Sequence, residues 1–441
     1  MNYRLTPLRV AAAVAVLSLA GCASFSPEGS LLPAPAIQNA ADEQRVADRV
    51  RELLAQPLDA DRAVQIALLN NRGLQASLQE IGIAEAEMVQ ASRLPNPGFG
   101  FARLTRSGGD TEIDRSFSFD IARLITLPMA RDLEAQRLTA TQRAVSLEMF
   151  NLTAETRKAF YAAVAAEQGA RYQHDVQGAA EAGAELAKRM VAAGNWSTLQ
   201  QAREQGFAAE AALAVARADQ QRVATRERLT RLLGLASSSF TLPERLPDLP
   251  EALSADPDVE QSALDQRLDI QQAKALVEAQ AKNIGLTRTT RFINLLDLGY
   301  QRNTETALPR QTGYELRVEI PLFDWGDARV KRSEALYQQT VQRAAQVAID
   351  ARSELRETTQ ARRSAFDIAK RYRDDLVPLA KKVSDENQLR YNGMLISVFE
   401  LLADARAQVA AVNAAIEAQR DFWIAQAELD MARVGKPIAS R

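Results

Sequence analysis

The sequence contains one cysteine, Cys22, and one histidine, His174, in 441 residues. A single cysteine excludes an internal disulfide. No cluster with metal-ligand spacing, nucleophile elbow or phosphate loop appears in the sequence. His174 falls in a long polar helical stretch and reads as an ordinary exposed residue, so the chain offers no catalytic residue and no metal site. Only 20 glycines and 16 prolines punctuate it, which predicts long uninterrupted elements. After the N-terminal segment no run of 18 apolar residues occurs, so no helix is expected to cross a bilayer, and any spanning falls to strands. The 54 basic and 56 acidic residues leave a net charge of −2, with both signs interspersed, which argues against nucleic acid as a partner.

Hydrophobic residues make up 46% of the chain but aromatics only 6%, because alanine supplies much of the apolar count. Ala, Leu, Gln, Arg and Glu favour helices, and small side chains let helices approach closely. The N-terminus has a targeting pattern: Arg4 and Arg9, then an apolar run from Val10 to Ala20 that is too short to span a bilayer. Leu19, Ala20, Gly21 and Cys22 resemble the lipobox of bacterial lipoproteins, in which the cysteine is acylated and becomes the mature N-terminus. Ala23 follows, and the absence of Asp there resembles lipoproteins sorted to the outer membrane. This divides the start into a signal peptide, 1–21, and a lipidated extension, 22–57.

The rest reads as a duplication. Phe99 and Phe101 alternate with Gly100 and Ala102, a polar turn runs from Ser107 to Asp110, and Phe117, Phe119 and Ile121 alternate with Ser118, Asp120 and Ala122. This predicts a β-hairpin at about 98–125 with one apolar face. About 200 residues later, Leu296, Leu298 and Tyr300, then Tyr314, Leu316, Val318 and Ile320, predict a second hairpin at about 294–323. Before each lies an amphipathic helix: Leu74, Ile81 and Met88 correspond to Ile270, Val277 and Ile284. After each comes a long helix, roughly Met129–Ala193 and Trp325–Asn392, ended by Gly194 and Gly393. Each is followed by a returning helix, the second with a heptad seam through Leu402, Val409, Ile416 and Trp423. The repeats occupy 58–236 and 258–435, joined by an irregular, Ser- and Pro-rich segment at 237–257 and followed by a tail at 436–441. At about 1.5 Å per residue the long helices reach on the order of 100 Å, and the shorter ones, stacked end to end, match that length.

A duplicated unit of half helix, hairpin, long helix and half helix behind a lipobox resembles the TolC outer-membrane efflux family. Pro321-Leu322-Phe323-Asp324-Trp325-Gly326 followed by Arg329 is similar to the family's strand-to-helix junction. Leu127-Pro128-Met129-Ala130-Arg131 in the first repeat lacks the glycine. Arg390-Tyr391-Asn392-Gly393 running into Ser397, Glu400, Leu401 and Leu402 is similar to the family's periplasmic turn. The resemblance implies a mainly α fold with a small β part: antiparallel helical hairpins forming a periplasmic α-barrel tunnel, and four strands per chain given to a trimeric transmembrane β-barrel. Four strands cannot close a barrel, whereas three chains would supply twelve, so the physics also favours a homotrimer. Also implied are a periplasmic adaptor and an inner-membrane pump as partners, a passive export role, and no cofactor beyond the lipid on Cys22.

Glu400 and Asp404 are four residues apart and share a helical face just past the turn. By resemblance they would form the periplasmic aperture; a solvated outer face is the alternative, with Arg406 near enough to pair with either. Gly194, Gly393, Met394 and Leu395 resemble the tips that meet the adaptor, and apolar residues at an exposed turn suit docking. Trp325, with Phe323 and Phe292, belongs either to an interfacial aromatic belt or to packing at the junction. An adaptor would show one helical hairpin between lipoyl halves, and a purely structural coiled-coil lipoprotein would not need amphipathic strands. The exported substrate, drug or metal ion or other small molecule, is not encoded in any motif. Mass spectrometry of the mature N-terminus is expected to find a lipid-modified Cys22, and Cys22→Ser to weaken anchoring; an unmodified peptide beginning elsewhere would remove the anchor.

Overall fold

The computed structural model describes residues 40–253, 264, 266–292 and 295–437; Cys22, the targeting segment and the end of the inter-repeat segment lie outside them. The first half runs α1 (Ala40–Leu54), α2 (Ala60–Asn70), α3 (Arg72–Ser92), β1 (Gly98–Thr105), β2 (Thr111–Asp120), α4 (Ile121–Ala192) and α5 (Thr198–Leu233). The second runs α6 (Leu268–Thr290), β3 (Leu296–Glu305), β4 (Gln311–Val318), α7 (Asp327–Arg371), α8 (Val377–Asn392) and α9 (Val398–Val434). Among the described residues no helix is long and apolar enough to cross a membrane.

The two long helices differ. α4 is unbroken over 72 residues, although Pro128 lies inside it. Its counterpart is interrupted by a π-helical turn at Tyr372–Leu376, where the Val377 amide donates to the Tyr372 carbonyl. Pro378 explains the interruption, because a proline within a helix lacks the amide proton and crowds the carbonyl one turn back. The start of α4 also departs from the sequence expectation. The strand ends at Asp120, whose side chain accepts a hydrogen bond from the Arg123 amide at 2.8 Å, and Ile121 is already helical. An Asp positioned to cap outweighs the alternating pattern that had extended the strand through Ile121.

The half helices abut end to end beside the long ones. Asn70 Nδ2 donates to the carbonyls of Leu233 (3.0 Å) and Gly234 (2.7 Å), and Asn71 Nδ2 to Leu232 (3.0 Å), so the start of α3 closes the open carbonyls at the end of α5. Gly234 is left-handed, with φ 68°, and a Cβ there would stand 2.5 Å from the Asn70 carbonyl oxygen. The second repeat makes the same joint with charge. Arg267, 1% exposed, pairs with Asp269 at 2.6 Å and Glu354 at 3.0 Å and donates to the Ala432 carbonyl at 2.5 Å, at the end of α9. Burial works against the Arg267 charge, but Asp269 and then Glu354 outweigh it and hold the guanidinium pKa above its ordinary value.

The main core lies where α2, α4, α5 and α9 converge. Phe160, Val164, Ile66, Leu229, Leu233 and Ile416 are buried there. The irregular segment after α5 seals it: Phe240 and Leu246 are buried, and Gln419 Nε2 and Trp423 Nε1 donate to the Pro247 carbonyl at 2.7 and 3.0 Å. Ile416 and Trp423 of the predicted seam therefore do pack inward. Replacing Arg267 by Ala leaves buried Asp269 without its partner and is expected to lower stability by about 3 kcal/mol or more, read as a fall in Tm in detergent. The Arg267→Met/Asp269→Leu double variant should lose less; equal losses would contradict the pairing account.

Candidate channel surfaces: sheet, junction and tips

The four strands form one antiparallel sheet in the order β1-β2-β3-β4, so the two hairpins join through β2 and β3. Phe99, Phe117, Tyr300 and Tyr314 stand opposite one another in register, and Phe119, Leu298 and Leu316 form the next row on the same face. Since successive side chains alternate, Glu112, Asp114, Asp120, Asp297, Glu305 and Glu315 share the other face with Arg317. Asn303 Nδ2 donates to Glu112 at 2.7 Å there, and Gln301 hydrogen-bonds Glu315. One face is thus apolar over several rows, and the other is small and polar, its charged side chains being six carboxylates and Arg317. The apolar one is open in the single chain: Phe99 is 61%, Leu316 65% and Tyr314 86% exposed. β1 and β4 each have one unpaired edge.

Pro321 and Gly326 lie in the segment that joins β4 to α7, and Arg329 in the first turn of α7. Gly326 has φ 68°, its amide donates to Asp324 Oδ1 at 2.8 Å, and a Cβ there would meet the Arg291 carbonyl oxygen at 2.8 Å. Arg329 reaches the same carbonyl at 3.4 Å. The chain must turn sharply against α6, and only glycine fits the space and the left-handed backbone. Trp325 packs edge-on to Phe292, with ring centroids 6.4 Å apart, while remaining 57% exposed. The first repeat lacks this glycine because it lacks the loop: Asp120 caps α4 directly, and Pro128 lies within the helix.

The far ends of the long helices differ in a way the sequence misplaced. Gly194 is left-handed at the first tip, with φ 77°. At the second tip Gly393 keeps φ −81°, and Met394 takes the left-handed position with φ 60°. The matching bonds identify the equivalence: Asn195 N to Met190 O at 2.9 Å, and Leu395 N to Arg390 O at 2.8 Å. A non-glycine residue there costs about 1 kcal/mol. Met394 and Leu395 are 94% and 78% exposed.

Past the turns Ser197 and Ser397 cap α5 and α9 through the amides of Gln200 and Glu400, at 3.3 and 3.4 Å. Glu400 therefore occupies a first-turn position where a carboxylate favours the helix dipole, and it is exposed. Asp404 is half-buried and accepts a hydrogen bond from Asn387 of α8. Arg406 pairs with neither. Its guanidinium donates to both oxygens of Glu204 on α5, each at 2.9 Å, and lies 4.3 Å over the Phe207 ring. Two positions beyond Asp404 on a helix, Arg406 points away from it and toward the other repeat. Glu204, 2% exposed at its side chain, was not singled out from the sequence. A signal existed: aligning Ser197 with Ser397 places Glu204 opposite Asp404. His174 is half-exposed, with Nε2 3.1 Å from Asp219 Oδ2, as an ordinary surface residue is.

Solved structures similar in shape include outer-membrane channels. A membrane protein from Pseudomonas aeruginosa matches with a TM-score of 0.73 at 20% identity, covering 85% of this chain and 92% of that one. CusC matches with a TM-score of 0.69 at 19% identity, covering 93% and 100%. The CmeC outer-membrane channel of Campylobacter jejuni matches at 0.74 and 16%, covering 86% and 87%. The chain has the TolC-like channel fold. In sequence it is 25% identical over 279 residues to the cobalt-zinc-cadmium resistance protein CzcC of Cupriavidus metallidurans. That match spans 61% of this chain and 64% of CzcC, so just under two thirds of the relative is covered. No family model matches the chain. Within the TolC-like fold the junction glycine is held both by its left-handed backbone and by the Arg291 main chain, and Gly326→Ala is expected to cost roughly 2 kcal/mol from backbone strain, before any overlap with Arg291. Thermal denaturation tests this; an unchanged Tm would mean the junction can relax.

Proposed function

We propose that this protein is the outer-membrane channel of a tripartite efflux system, a passive duct and not an enzyme, working with a periplasmic adaptor and an inner-membrane pump. The observation that carries it is a four-stranded sheet, apolar on one face and carboxylate-lined on the other, rising from helices of roughly 100 Å. Unpaired edges within hydrocarbon would leave backbone groups unsatisfied at several kcal/mol each. Three chains of four strands close a twelve-stranded barrel and remove the edges. The apolar rows face lipid, and the carboxylate face lines the lumen. The α-helical part forms the periplasmic tunnel, and Cys22 carries the lipid that holds the N-terminus at the outer membrane.

Gly194, Gly393, Met394 and Leu395 form the adaptor-docking tips: exposed apolar side chains at a turn, one on strained backbone, suit a partner surface. Glu400 and Asp404 line the periplasmic aperture, where threefold symmetry gathers them near the axis. The acidic lumen favours cationic cargo, and the likeness to a cobalt-zinc-cadmium resistance protein supports metal cations as one such class.

Native mass spectrometry in detergent is expected to find three chains, and a stable folded monomer would contradict the barrel. In planar bilayers the channel should be cation-selective and blocked by multivalent cations, with both properties falling in Glu400→Ala, Asp404→Ala and the double variant. Unchanged selectivity and block in the double variant would place both residues away from the pore.

A further inference from the structure

The apolar face of the sheet does not stay apolar to its end. Beyond the tyrosine row, Arg115 and Arg302 stand directly opposite each other on β2 and β3, and Arg103 lies diagonally from Arg115 on β1, all on the face of Phe117 and Tyr300. Like charges directly opposite on neighbouring strands repel. None of the three arginines makes an ion pair with any described residue, and the carboxylates of the sheet all lie on the other face. The Nε of Arg302 is enclosed, with no hydrogen-bond partner among the described residues. By contrast, Arg106 at the turn pairs with Glu305 and Arg317 with Glu315.

Position identifies what neutralises them. Tyrosines on a lipid-facing wall sit at the level of the headgroups, and the Arg115–Arg302 row is two residues further along, about 7 Å beyond Tyr300 and toward the turns. Guanidinium forks match phosphate oxygens bidentately. We propose that Arg103, Arg115 and Arg302 form a docking row for the phosphate groups of an outer-leaflet lipid, on the outer wall of the barrel. This rests on the channel reading, because only an inserted barrel presents that face to lipid. One phosphate between Arg115 and Arg302 turns a repulsive cross-strand pair into a bridged one.

The test uses the full chain in detergent, with native mass spectrometry counting bound lipid, a bisphosphorylated glycolipid as probe and its dephosphorylated form as control. The phosphorylated lipid is expected to be retained and the control lost. Arg103→Gln, Arg115→Gln and Arg302→Gln should each weaken retention about fivefold, and Arg317→Gln on the lumen face should not change it. Equal retention of the two glycolipids, or unchanged retention in the triple variant, overturns the proposal. So does full competition by inorganic phosphate, which would mark a free-anion site. Loss of the trimer in the variants with lipid retention intact would instead make the arginines contacts between protomers. Insertion into planar bilayers separates the two readings: a conducting channel without phosphate-dependent retention removes only the lipid row, whereas failure to insert removes both.

Discussion

The structure depends on the requirement that every backbone amide and carbonyl finds a partner, and this protein meets it differently along its length. In the helices each group is satisfied locally, so a single chain can build rods of roughly 100 Å without a globular core. Where helices stop, side chains take over: Asn70 and Asn71 close the end of α5, and Arg267 closes the end of α9. In the sheet the requirement cannot be met by one chain, since β1 and β4 each keep an open edge. In hydrocarbon, where the proposed channel would place the sheet, further strands would have to close those edges, while much of the helical part is already packed within the single chain.

The duplicated plan was legible because its signals are periodic. Alternation over Phe99–Phe101 and Leu296–Tyr300 marks strands, and the heptad through Ile416 and Trp423 marks a packed seam. The glycine of the second junction was legible because only a left-handed, crowded position demands it. What escaped were choices between nearly equal local options. Asp120 ends a strand as readily as it continues an alternating pattern, and only the hydrogen bond to the Arg123 amide decides. Gly393 was legible as the end of its helix, but not that Met394, one residue on, takes the left-handed backbone.

Charge pairing was the least legible level. Arg406 has acidic neighbours along its own helix, but its partner Glu204 lies 202 residues away. Partner choice is set by which helix packs alongside, and that follows from tertiary contacts between the repeats. The same holds for Arg267, whose three anchoring points come from α6, α7 and α9. Sequence reading locates such residues as charged and says little about whom they face.

The two repeats enter their helices by different joints. In the first, β2 passes into α4 with no intervening residue, since Asp120 ends the strand and Ile121 begins the helix. In the second, residues 319–326 separate β4 from α7, and the chain turns at left-handed Gly326. Mechanically these are a weld and a hinge. Any tilt of α4 would be passed straight to the strand to which it is fused. α7 reaches β4 only through eight residues that belong to neither element, so a displacement of that helix need not be passed to the strand in full.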